Sequence, residues 1–153
     1  PWPFVDQLPA DLETVNAEFG EPPVIALPGV NISSRSLQAG DALDLTFYWQ
    51  AVAEVVEPYY VFIHIMAEDD TMAAQLDSAP LQGFRPTVSW RVGEVITDEY
   101  AVPLGPDLPP GAYQLWVGLY NPDSGVRPLT KVDGQATPDN RVYLGEINVG
   151  KGE

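Results

Sequence analysis

One histidine, twenty-two carboxylates and sixteen aromatic side chains are what this 153-residue chain offers for chemistry. It has no cysteine, so a thiolate nucleophile, a thiolate metal site and a disulfide are all excluded. Serine-histidine-aspartate catalysis needs an imidazole beside an activated hydroxyl. His64 stands in the apolar run 59–67, and no glycine-flanked serine elbow occurs in the chain. The residue reads as a hydrogen-bonded structural histidine. A zinc site would require further histidine or cysteine ligands. The sequence therefore predicts no catalytic residue, no metal ligand and no cofactor.

The carboxylates come in short runs. Glu68-Asp69-Asp70 fits a hairpin tip. Asp98 and Glu99 are adjacent in an extended segment, so their side chains point to opposite faces and cannot act on one centre. No Asp-x-Asp-x-Asp-Gly calcium pattern appears. Asp77 opens a long irregular connection and is expected to bond loop amides, with calcium or ligand contact as the alternative. No pair is singled out for glycoside hydrolysis, although an enzyme fragment acting on glycans through surface carboxylates stays open as an alternative. Gly145 to Lys151 imitates a phosphate-binding loop, but Gly152 replaces the required serine or threonine.

Aromatic side chains form the last constellation. Tyr48, Trp116 and Tyr120 fall on the outward side of their strands, where such rings stack on sugars or dock a partner. The competing reading is that residues 1–20, with Trp2 and Phe4, lie across that face and bury it. Trp90, in the long connection, carries the same ambiguity. Tyr48, Trp116, Tyr120, Trp90 and Asp77 are thus the candidate ligand contacts.

The elements that must position these residues are strands. Residues 42–50 alternate strictly, with Leu43, Leu45, Phe47 and Trp49 inward. Residues 59–66 are apolar on both faces and predict a central strand. Residues 72–76 return as a hairpin, and 77–94 form an irregular connection punctuated by Pro80, Gly83, Pro86 and Gly93. Residues 95–102, 112–120, 126–131 and 142–149 follow as strands. Pro22-Pro23 predicts that residues 24–27 are an edge strand, with a further short strand within 30–37. Pro109-Pro110-Gly111-Ala112-Tyr113 resembles a tyrosine corner. The expected fold is all-β, an immunoglobulin or fibronectin-III-like antiparallel sandwich of about seven to nine strands. Residues 1–20 read as a linker or strap and 21–150 as the single domain.

With 22 acidic and 7 basic residues the formal charge is −15. That excludes a nucleic-acid partner, which needs clustered Lys and Arg, and it disfavours anionic membrane surfaces. The longest apolar stretch is far too short to span a bilayer, so no membrane insertion by this segment is expected. The chain starts at Pro1 without a signal-like stretch and reads as a piece of a longer precursor.

Phe19-Gly20, Ala39-Gly40-Asp41, Phe47-Tyr48-Trp49-Gln50 and Val61-Phe62-Ile63-His64 occur in order. They are followed by Gln75-Leu76-Asp77, Pro80, Gly83, Pro86-Thr87, Ser89-Trp90, Gly93-Glu94, Asp98, Tyr100, Pro110-Gly111-Ala112-Tyr113 and Val117-Gly118-Leu119-Tyr120. Over roughly residues 19–149 this series resembles a β-sandwich module of filamentous green bacteria. That module often ends multi-pass membrane proteins similar to the mannosyltransferase-like family of lipid-linked sugar transferases. The resemblance implies an extracytoplasmic accessory domain and carries over no catalytic residue, because the transferase site belongs to the membrane-embedded part. The expectation is a non-catalytic extracytoplasmic domain binding a glycan or an envelope protein. A structural spacer is a further alternative.

Overall fold

Alternation along each strand decides which side chains meet in the interior, and the two-sheet architecture follows from it. The computed structural model describes residues 3–150. Among them are eleven strands: β1 (Glu13–Phe19), β2 (Ile25–Ile32), β3 (Ser36–Gln38), β4 (Ala42–Ala51), β5 (Tyr60–Ala67), β6 (Met72–Ser78), β7 (Val95–Pro103), β8 (Gly111–Tyr120), β9 (Thr130–Val132), β10 (Gln135–Ala136) and β11 (Val142–Gly150). One sheet has the order β10-β9-β1-β2-β4-β7, the other β3-β11-β8-β5-β6. Their pairings are antiparallel except β3 with β11. The chain is a β-sandwich, as its alternation predicts. The strand count exceeds expectation because β1 forms in the polar run ahead of Phe19 and β10 is an added two-residue piece, whereas β3 and β9 overlap expected short strands.

The inward set of β4 meets that of β5 and β8. Leu43, Leu45, Phe47 and Trp49 pack with Val61, Ile63, Ile65, Leu115, Val117 and Leu119, all essentially without exposure. Phe19, Trp49, Phe47 and Tyr100 form a chain of tilted rings with centroids 5.6–5.8 Å apart. The Tyr113 hydroxyl donates to the carbonyl of Pro109, the tyrosine corner foreseen from the sequence. One expectation fails: β2 is interior, paired with β1 on one side and β4 on the other. Pro22 and Pro23 precede the ladder and remove no hydrogen bond from it, so they do not force an edge.

The connection between β6 and β7 crosses from one sheet to the other and is held by buried charge. Asp98 on β7 points inward and accepts from the Tyr100 hydroxyl (2.6 Å), the Leu81 amide (2.9 Å) and Trp49 Nε1 (3.2 Å). Burial pushes its carboxyl upward and its three donors oppose that rise. Glu94 is likewise buried, receiving Arg85 Nη2 at 2.7 Å and Arg91 Nη2 at 2.8 Å. Burial acts to raise its carboxyl, but the two guanidiniums and the Arg91 amide outweigh it and hold the group at about 2. Thr87 ties the same connection to the β4–β5 loop, its hydroxyl donating to Glu57 O and accepting from Tyr59 N. Thr87, Trp90, Glu94, Asp98 and Tyr100 of the recognised series are therefore framework residues.

Two outcomes follow. Arg85→Met removes one partner from a buried carboxylate and should lower unfolding stability by on the order of 3 kcal/mol, read from urea denaturation. A folded-state value of about 2 against an ordinary 4.5 makes the Glu94 contribution complete above 4.5 and lost as pH falls towards 2. The stability gap between wild type and Glu94→Gln should accordingly shrink across that interval.

Candidate functional site

The outward positions of β5, β8, β11 and β6 stand in register and compose one surface. Tyr143, Trp116, His64 and Gln75 form one row across four strands, spanning about 14 Å. Gly118, Phe62 and Asp77 form the next, and Tyr120 lies opposite Tyr60 in a third. Gly118 is needed for close approach. A methyl group there would overlap the Phe62 ring, which lies over the β8 backbone.

Two arginines from flanking connections close over these rings. Arg127, between β8 and β9, sits 4.3 Å from the Phe62 centroid. Arg141, just ahead of β11, sits 4.2 Å from the Trp116 centroid. Trp116 in turn contacts Tyr143 at 4.9 Å between centroids, and Tyr143 is 50% exposed. The turn at Pro138–Asn140 positions both arginines. Its Asp139 carbonyl accepts from Arg127 Nη1 at 2.8 Å, and Asn140 Oδ1 accepts from the amide of buried Thr130. Between the arginines opens a groove of about 520 Å³, lined by His64, Met66, Asp70, Met72, Arg127, Asp139 and Arg141.

His64 is held below the ordinary imidazole range, first by burial and then by the charge of Arg127, with Asp77 opposing. It packs against Phe62 at 4.6 Å between ring centroids. Tyr120 is raised to about 12, first by burial and then by its hydrogen bond to Asp77. Among the described residues, no cluster of three or more His, Asp or Glu could hold a metal ion. Also among them, no helix is long and apolar enough to cross a membrane.

The candidate residues taken from the sequence divide between regions. Trp116, Tyr120 and Asp77 lie on this surface, Asp77 as a strand residue of β6 that meets the Tyr120 hydroxyl and not as the start of a loop. Tyr48 lies on the outer face of the other sheet, 8% exposed, its hydroxyl against Asn31. Trp90 is 5% exposed within the core and donates to Arg85 O. The N-terminal segment explains Tyr48. Val5 O accepts from Val95 N at the β7 edge, and Leu12 fills the space above Gly29, which pairs with Tyr48. Residues 5–12 thus run across the six-stranded sheet and leave the other sheet's outer face open. Phe4 lies by Gly93 and Arg91, also away from that face. Trp2 and Lys151 fall outside the described residues.

Sequence reasoning missed Tyr60, Phe62, Arg127, Arg141 and Tyr143. For Tyr143 a signal existed, since buried Val142 and Leu144 flank it. For the arginines none did, because each reaches the surface from an irregular connection.

No family model matches the chain, and neither does any curated protein. Among solved structures, the crystal structure of the C-terminal domain of Wzt is similar in fold, with a TM-score of 0.57 and 17% identity over 95% of this chain and 89% of that one. The likeness is one of architecture. It also corrects the expected extracytoplasmic placement: the same architecture occurs in the C-terminal domain of Wzt, so this sandwich does not mark an extracytoplasmic domain.

Gly118→Ala should displace the Phe62 ring, cost about 1–3 kcal/mol in thermal or urea unfolding and loosen the Arg127 stack. A matching shift of the Phe62 and Arg127 NMR resonances would localise the effect.

Proposed function

We propose that the chain is a non-catalytic carbohydrate-binding module, an accessory part of a larger protein that handles sugars, with its site on the outer face of the five-stranded sheet. The observation that carries this reading is the path of the N-terminal segment. It covers the six-stranded sheet and leaves exposed Tyr143, half-buried Trp116 and the adjoining groove on the other sheet uncovered. Exposed aromatic rings present flat apolar faces to the C–H faces of a pyranose, while neighbouring polar groups meet its hydroxyls. Tyr143 and Tyr60 supply the exposed rings; Gln75, Asp77 and Glu146 supply donors and acceptors on the same sheet. The groove is open, suited to a segment of an extended chain.

The resemblance to the module that ends mannosyltransferase-like membrane proteins fits this reading, because such enzymes move sugars. This reading asks for no catalytic step: His64 packs against the Phe62 ring and shares the groove with Asp70, Asp139 and the two arginines.

A glycan-array screen of the intact chain, followed by calorimetry on the best ligand, tests the proposal. Saturable binding is expected, weakened about tenfold in Tyr143→Ala and unaltered in Tyr48→Phe. Folded protein that retains no glycan would overturn it and leave a spacer domain.

A further inference from the structure

The basic residues of this acidic chain are few, and four of the six among the described residues are closely paired with a carboxylate. Of seven Lys and Arg, Arg35 pairs with Glu13 at 2.9 Å, Arg85 and Arg91 share Glu94 at 2.7 and 2.8 Å, and Lys131 meets Glu21 at 3.2 Å. Arg127 and Arg141 differ. Among the described residues Arg127 enters no ion pair, and its Nη1 donates to a main-chain carbonyl. The carboxylate nearest Arg141 is that of Asp139, at 3.8 Å and 73% exposed. Arg141 Nε is buried without a hydrogen-bond partner, so the Trp116 ring rather than a carboxylate holds that side chain in place.

The two guanidiniums line one groove and repel each other. Arg127 is held below its ordinary range by burial and then by the charge of Arg141, with Asp139 and Asp77 opposing. Keeping two cations together at a desolvated surface is unfavourable unless an anion joins them. The stacked rings fix both guanidinium planes in advance, which lowers the ordering cost when an anion arrives. Planar guanidinium forks match carboxylate and phosphate oxygens. In a chain of charge −15 this groove gathers two guanidiniums, and the carboxylates that line it with them, Asp70 and Asp139, lower its net charge without forming a close pair with Arg127.

We propose that the Arg127–Arg141 groove receives an acidic substituent of the glycan, a carboxylate or phosphate borne on a sugar ring, while Tyr143 stacks on the adjoining ring. This rests on the carbohydrate-binding reading above and adds selection of acidic over neutral chains. Asp139 competes for the same guanidinium and moderates affinity. His64, its imidazole held below the ordinary range by burial, lines the same groove.

Calorimetry with three oligosaccharides of matched length tests it: one containing a uronic acid, one a sugar phosphate and one neutral, with inorganic phosphate as a fourth probe. The acidic chains should bind at least about tenfold more tightly than the neutral one, with the advantage falling as salt is added. Arg127→Gln and Arg141→Gln should each erase about tenfold of that advantage, weakening the acidic chains more than the neutral one. Arg127→Lys, which retains charge without the planar fork, serves should the glutamine variant unfold. Asp139→Asn, at an exposed turn, should tighten acidic binding.

Equal affinity for acidic and neutral chains, with Tyr143→Ala still weakening both, would overturn the inference and leave the glycan reading intact. Failure of every oligosaccharide would sink both. Inorganic phosphate binding as tightly as the sugar phosphate would also overturn it, making the groove a free-anion site.

Discussion

The pleat of a β-strand sends neighbouring side chains to opposite faces, and β5 and β8 must satisfy two demands with one run of residues. Val61, Ile63 and Ile65 with Leu115, Val117 and Leu119 fill the interior. The residues between them, Phe62 and His64 with Trp116, Gly118 and Tyr120, have no choice but to form the opposite face. A one-residue slip would exchange the core for the aromatic surface, so the register that builds the fold also builds the site. Stability and the proposed recognition are therefore tied together in these two strands.

The two outer faces are finished differently. On the six-stranded sheet, the lack of a side chain at Gly29 admits Leu12, and the segment 5–12 crosses over Tyr48. On the five-stranded sheet, the same absence at Gly118 admits the chain's own Phe62. The Arg127 guanidinium lies over that ring, with His64 and Tyr120 packed beside it. One face is thereby sealed by backbone and apolar contact. On the other, among the described residues, two guanidiniums lie over the rings and an open groove runs between them. Buried charge appears elsewhere in a different role. Asp98 and Glu94 are saturated with donors and secure the β6–β7 connection, so they have nothing left to offer a ligand.

Much of the architecture was legible because period-two patterning is a local property. The inward sets of β4 and β8, the doubly apolar β5, the corner at Tyr113 and the opposed side chains of Asp98 and Glu99 all follow from spacing alone. β1 was harder to read. Its inward residues Val15, Ala17 and Phe19 alternate, but Asn16 adopts a positive φ at a bulge and the outward positions are polar. The site was only half legible. Alternation shows that Tyr48 and Trp116 both face outward, but not that they belong to different sheets, which depends on long-range pairing. Nor can local pattern place Trp90, because an irregular connection has no period. Arg127 and Arg141 lie far apart from Phe62 and Trp116 in sequence or in pattern, and only the closed sandwich brings guanidinium and ring together.

The most direct measurement is an amide and arginine side-chain NMR titration of the intact chain with a bound oligosaccharide. Perturbations confined to β5, β8, β11 and the Arg127 and Arg141 guanidiniums, with Tyr48 and residues 5–12 unmoved, are the result expected here. Perturbations centred on the six-stranded sheet and its N-terminal cover would contradict the assignment of the site to the open aromatic face.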